Sequence, residues 1–227
     1  MKLFFKRLFM GSKDSLPVGT TIFESASAGT YSVEIPVKGK YHVIAVGAGG
    51  GSALQCAFSG TAYVQVVAGG SGGCIQGDFE LDAGTYTAVI GALGASSYGN
   101  VQVVEGAAGS NTSFGNVVTA TAGNGAYIKF QAPPTMIGGA GGSSSYDATR
   151  LVSGTLTQIT GKTGATDRVY STSSGRTETR SVPQTASIYG GYGAGSGGSA
   201  TAGRGPSYSH YFIYGTDGYL QISYAGK

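Results

Sequence analysis

The chain has no tryptophan, two cysteines, two histidines and only 11% charged residues among its 227 positions. Each scarcity excludes something. A zinc site needs its ligands gathered in one cluster, and Cys56, Cys74, His42 and His210 are too scattered to supply one. Without a dense, regularly spaced set of cysteines there is no disulfide framework, so the two cysteines are expected to be buried free thiols. Long apolar runs are also missing. No segment could span a bilayer, and the only apolar N-terminal stretch, MKLFFKRLFM, is broken by Lys6 and Arg7, so no export signal is expected.

What remains is small and neutral. Glycine supplies 42 residues and proline 6, about a fifth of the chain together, below the level that signals disorder, and the glycines lack the triplet period of collagen. The formal charge of +3 is misplaced if read globally. Lys2, Lys6, Arg7 and Lys13 lie in the first 13 residues, so the rest is nearly neutral. A weaker basic stretch from Arg150 to Arg180 contains Tyr170 as its one aromatic residue, which argues against nucleic-acid binding.

Residues 1–15 read as an arm and linker preceding a glycine-rich β domain over residues 16–227. On a helix Phe4, Phe5, Leu8 and Phe9 share one face, with Lys2, Lys6 and Arg7 off it, and with Leu3 they are the candidate anchoring residues of the arm. Such a face wants a cover: a protein groove, which is favoured, a membrane surface, or the chain's own body.

Beyond the arm only period-two patterns occur. TYSVEIP alternates Tyr31, Val33 and Ile35 against Ser32 and Glu34; YHVIAVG is apolar on both faces and predicts a central strand; DFELD sends Phe79 and Leu81 inward and Asp78, Glu80 and Asp82 outward. The fold class is therefore all-β, an antiparallel sandwich with glycine-rich loops. VQVVAGGSGGCIQGDF reads as a hairpin turning near Ser71, with Cys74 across from Ala68. AGTYSVEIP and AGTYTAVIG share a glycine-led entry into a strand, the same structural task performed twice.

The order of these pieces, with Gly-Asp-Phe-Glu-Leu, Ala-Gly-Thr-Tyr-Thr, GSNTSFGNVVTATAGNGA and the closing GTDGYLQISYAG, resembles the glycine-rich domain of tail-fibre and receptor-binding proteins of tailed bacteriophages over residues 20–226. The resemblance implies a jelly-roll-like all-β core with projecting glycine-rich loops, in some relatives packed as short polyglycine II segments. Here the longest uninterrupted run is Gly49-Gly50-Gly51, and a Ser, Thr and Arg-rich insertion spans about 143–184; both argue against a large polyglycine bundle.

Glycine runs are costly to order unless backbones approach closely and bond to each other. Gly49, Gly50, Gly51, Gly69, Gly70, Gly72 and Gly73 are accordingly candidates for tight packing or subunit contact, the other reading being flexible loops. Seven of the 15 tyrosines fall in the last 40 residues. Tyr189, Tyr192, Arg204, Tyr208, His210 and Tyr211 are the candidate receptor contacts, because tyrosine combines apolar area with a hydroxyl and few rotamers. Catalysis is not expected: no nucleophile elbow or phosphate loop occurs, and Asp78 with Glu80 reads as a solubilising edge. No cofactor or metal is expected. The expected function is a phage virion structural protein, a tail-fibre or fibre-like component assembled in the host cytoplasm. It would dock on another virion protein through its arm, associate as a homo-oligomer, a trimer, and attach to a host-surface polysaccharide or protein. The alternatives are a capsid decoration or head-fibre protein without a receptor role, and a bacterial matrix or adhesion module.

Overall fold

The computed structural model describes residues 16–59, 61–99, 102–130, 135–170, 178–202 and 208–227. Twenty strands form five sheets, and no helix occurs among the described residues. The first sheet is ordered β1 (Thr21–Ser25), β20 (Tyr219–Gly226), β3 (Gly39–Val46), β6 (Cys74–Leu81) and β15 (Thr157–Ile159). The second is ordered β14 (Ser144–Tyr146), β11 (Val118–Ala120), β10 (Thr112–Phe114), β7 (Gly84–Ile90) and β2 (Gly29–Ile35). All pairs within both are antiparallel. They face each other across one core in which Val33, Ile35, Tyr41, Phe79, Phe114 and Leu220 are almost fully buried. Alternation places these residues: each strand sends every second side chain into the sandwich. β3, apolar on both faces, is the central strand of its sheet, as its sequence predicts.

The echoed segments become partners. β2 and β7 pair with Gly29 opposite Ile90 and Ile35 opposite Gly84, so the two copies of the motif run past each other head to tail. Tyr31 donates its hydroxyl to Ser27 O at 2.7 Å and Tyr86 to Asp82 O at 3.1 Å, each bonding four residues back. Tyr41 does the same to Val37 O at 2.7 Å. These bonds fix the chain where it enters each strand.

A second β body holds the other three sheets. β16 (Thr166–Tyr170), β5 (Thr61–Val67), β4 (Ala53–Ser59) and β8 (Ser97–Gly99) form its middle layer, with β8 parallel to β4. On one side lie β13 (Thr135–Ile137), β12 (Tyr127–Lys129) and β9 (Val103–Glu105); on the other lie β17 (Glu178–Val182), β18 (Gly197–Ala202) and β19 (Tyr208–Ile213). The middle layer packs Leu54, Cys56, Val64 and Val66 on Val182 and Ala200, and Ala53 and Val67 on Val104 and Ile128.

Between the two bodies the chain runs through residues 47–52, 68–73, 91–96, 106–111, 121–126, 138–143, 160–165, 183–187, 193–196 and 214–218, ten passages in all. The hairpin expected at Ser71 does not form. β5 pairs with β4 and β16, and β6 pairs with β3 and β15, because 68–73 goes straight from one body to the other. Residues 143–184 are likewise not an appended loop: they contribute strands to both bodies and the 160–165 passage between them.

Candidate functional site

The passages pack side by side without a hydrophobic core of their own. Successive residues of 47–51 bond different neighbours. Gly47 and Gly50 N–H donate to Gly73 O and Gly70 O, both at 2.9 Å, while Ala48 and Gly51 donate to Ser110 O and Ala107 O at 3.4 and 2.9 Å. Gly49 donates to Thr216 O at 3.1 Å. Carbonyls of the same segment accept from Gly94, Gly123, Ala126 and Ser196 N–H. Donor and acceptor positions advance by three residues, the repeat of a three-residue-per-turn extended helix. The segment 47–51 is thus ringed by the passages at 68–73, 121–126, 106–111, 91–96, 214–218 and 193–196, and each of these bonds to the next around the ring. This is a polyglycine II bundle, about 19 Å long for six residues at the rise of such a helix.

Glycine is required here for space. Gly47, Gly49 to Gly51, Gly69, Gly70, Gly72 and Gly73 all avoid positive φ. A Cβ on Gly49 would land on the Ala194 carbonyl, one on Gly50 on that of Asn124, and one on Gly72 on that of Gly47. With three residues per turn, only positions aimed at a neighbouring backbone must be bare, and Ala48 fits at 0% exposure. The bundle therefore forms without long glycine runs, which corrects the expectation drawn from their shortness. Gly49, Gly50, Gly51, Gly69, Gly70, Gly72 and Gly73 are packed against segments of the same chain and are buried, leaving them no face for a sister subunit and excluding the flexible-loop reading.

The candidate receptor residues do not form one surface. Tyr189 and Tyr192 lie against the first sheet, stacked on Tyr219 at ring distances of 6.0 and 4.3 Å, over Ile44, Val46 and Cys74. Between them Gly190 and Gly191 have φ of +52° and +95°, the left-handed pair that a tight two-residue turn demands. Tyr219 donates to Glu24 Oε1 at 2.9 Å; burial first, then this bond, pushes its hydroxyl far above the ordinary tyrosine range. His210 and Tyr211 belong instead to β19 in the second body. His210 stacks on Tyr98 with ring centroids 3.7 Å apart and planes within 6°. Tyr211 points the other way and is 61% exposed. The side chain of Tyr208, all of Arg204, and the arm residues Leu3, Phe4, Phe5, Leu8 and Phe9 lie outside what the structure describes. Alternation continued from Tyr211 would turn Tyr214 inward, but the strand ends at Ile213 and Tyr214 is 66% exposed.

Charge concentrates at the end of the first body away from the bundle. A cavity of about 230 Å³ is lined by Lys38, Glu80, Leu81, Asp82, Asp147, Thr149 and Arg150. Lys38 meets Asp82 at 2.9 Å and Arg150 meets Asp147 at 3.4 Å. The Lys38 ammonium holds the Asp82 carboxyl below its usual range, and hydrogen bonds from Thr149 do the same for Asp147. These charges satisfy one another. His42 Nδ1 and Asp78 Oδ1 are 2.6 Å apart on the outer face of the first sheet. β15 covers β6 only as far as Gln76, but residues 150–152 continue along it, Glu80 N–H donating to Arg150 O at 2.7 Å and Val152 N–H to Asp78 O at 2.9 Å, so Asp78 and Glu80 do not stand on a free edge, which corrects that reading. Cys56 and Cys74 are buried free thiols on opposite sides of the bundle, and burial pushes both up to about 11. No group of three or more metal-ligating side chains occurs among the described residues.

No curated protein matches the chain in sequence. The family model described as a glycine-rich domain matches residues 25–226, which takes in both β bodies and every passage of the bundle. The chain belongs to the glycine-rich domain family.

Proposed function

We propose that the chain is a structural attachment protein of a bacteriophage particle, a tail-fibre or fibre-like component that holds a host-binding surface away from its anchor. The observation that carries this reading is the polarity of the fold. β1 begins beside the C-terminal end of β20, at the end of the first body remote from the bundle, so the described chain enters the fold at that end, where Gly19 N–H donates to Tyr224 O at 2.7 Å. The second body stands at the other end of the bundle, and each passage that enters it is followed in the chain by one that leaves it. A backbone-bonded shaft separates the two, and every passage of it is tied to its neighbours. Anchor and display surface are thereby kept apart by an element with few side-chain rotors to bend.

The buried glycines Gly49, Gly50, Gly51, Gly69, Gly70, Gly72 and Gly73 offer no contact to a second copy, so self-association in this reading uses other surfaces. The test compares the full chain with a variant lacking residues 1–13, scoring incorporation into phage particles and adsorption to a panel of bacterial strains. Loss of incorporation with adsorption retained is the expected result. Adsorption by neither protein to any strain overturns the attachment role.

A further inference from the structure

We propose that the outward face of the sheet formed by β17, β18 and β19 binds an uncharged oligosaccharide. This rests on the reading of the second body as the host-facing end.

The registers place Thr179, Thr201 and Ser209 in one row and Ser181, Ser199 and Tyr211 in the next. The opposite side chains of the same strands, Val182, Ala200 and Phe212, pack on the middle layer, so these two rows face outward. Thr179, Ser181, Ser209 and Tyr211 are exposed, with Ser199 and Thr201 half-buried between them on the central strand. Thr179 and Thr201 Oγ1 atoms are 2.8 Å apart, so this cross-strand pair of hydroxyls is already ordered.

Three features of this face decide its partner. First, none of the six side chains is charged, whereas protein surfaces ordinarily intersperse both signs; nothing here attracts an acidic or basic ligand. Second, three strands of five or six residues make a face roughly 14 by 18 Å, about 250 Å², from strand spacing and rise. A stable protein partner needs about 800 Å² on each side, so the face is too small for a folded protein and large enough for a few sugar rings. Third, each Ser or Thr hydroxyl both donates and accepts, which is also the chemistry of a sugar hydroxyl, and Tyr211 adds an apolar ring held by two torsions. The underlying sheet fixes the spacing of all these groups, which lowers the ordering cost of binding.

The experiment uses the full chain, fluorescently labelled, on an array of bacterial surface polysaccharides and their neutral and acidic fragments. Tyr211→Ala and Ser181→Lys alter exposed positions and should leave the melting temperature in place. Glu105→Lys, on the opposite outer sheet of the same body, is the control. The expected outcome is retention of one or more neutral glycans, weakened at least tenfold by Tyr211→Ala and by Ser181→Lys and unchanged by Glu105→Lys. Retention of acidic glycans only, equal binding by all variants, or no glycan bound overturns the proposal. If the array is blank while cells still adsorb the chain, the sugar face alone is overturned; if cells do not adsorb it either, the attachment role falls with it.

Discussion

Replacing Gly50 by alanine tests the bundle at its centre. A methyl group there meets the Asn124 carbonyl, which accepts from Gly70 N–H at 3.0 Å. Segment 47–51 cannot back away, because Gly50 N–H donates to Gly70 O at 2.9 Å and Gly50 O accepts from Ser196 N–H at 2.8 Å. Overpacking costs about 1–3 kcal/mol and one buried backbone group left unpaired adds about 1–3 kcal/mol, so a loss of about 2–6 kcal/mol is expected. That is a large share of the roughly 5–15 kcal/mol that holds a domain together. In a chain of this size each kcal/mol lost lowers the melting temperature by about 2–4 °C. Thermal denaturation followed by circular dichroism measures it, with urea midpoints as a second reading at unchanged slope. A loss below about 1 kcal/mol would mean that the passages can shift to admit a side chain, and the argument that glycine is needed for space would be refuted.

Two other glycines separate the possible reasons for glycine. At Gly154, with φ of +82° and open space around it, alanine is expected to cost about 1–2 kcal/mol through backbone strain alone, read in the same melts. At Gly77, where the nearest atoms to a Cβ are 3.4 Å away and φ is not positive, alanine should be neutral or stabilise by up to about 1 kcal/mol; a loss like that at Gly50 would contradict the assignment. Both thiols are raised to about 11 when folded, so the unfolded chain releases protons first and stability falls as pH rises from about 9 toward 11. A Cys56→Ser, Cys74→Ser double variant should flatten that limb of the urea midpoint against pH, and thiol reagents at pH 8 should label the wild type only after unfolding. Tyr219→Phe removes the bond to Glu24 and should cost about 1.5–3 kcal/mol in urea unfolding, while a change under about 0.5 kcal/mol would show that bond to be idle.

Strands whose two faces meet different surroundings were legible in the sequence. β2, β6 and β7 alternate cleanly because one side is core and the other solvent, and β3 reads as central because both of its faces are covered from Val43 to Val46. The passages were not legible in the same way. Around Ser71 the usual meaning of a glycine cluster, a turn, prevailed, although none of those glycines needs a positive φ. The usable signal was different: six-residue, small-residue spacers recur between successive strand pairs, with bare positions set by a period of three. At the candidate binding surface, clustering of tyrosines along the chain merged Tyr189 and Tyr192 with His210 and Tyr211, which the fold puts on different bodies. The rows of hydroxyls were missed because Thr179 and Ser181 are about twenty residues from Ser199 and Thr201, and pairing registers cannot be read from either strand alone.

A one-turn-per-three-residues shaft also governs how the gene can change. Removing a single residue from a passage rotates everything after it by a third of a turn and aims methyl groups at carbonyls that expect hydrogen. Within the six-residue passages a change of length is therefore least disruptive as a whole triplet, and it has to be matched by the neighbouring passages to keep the ends level.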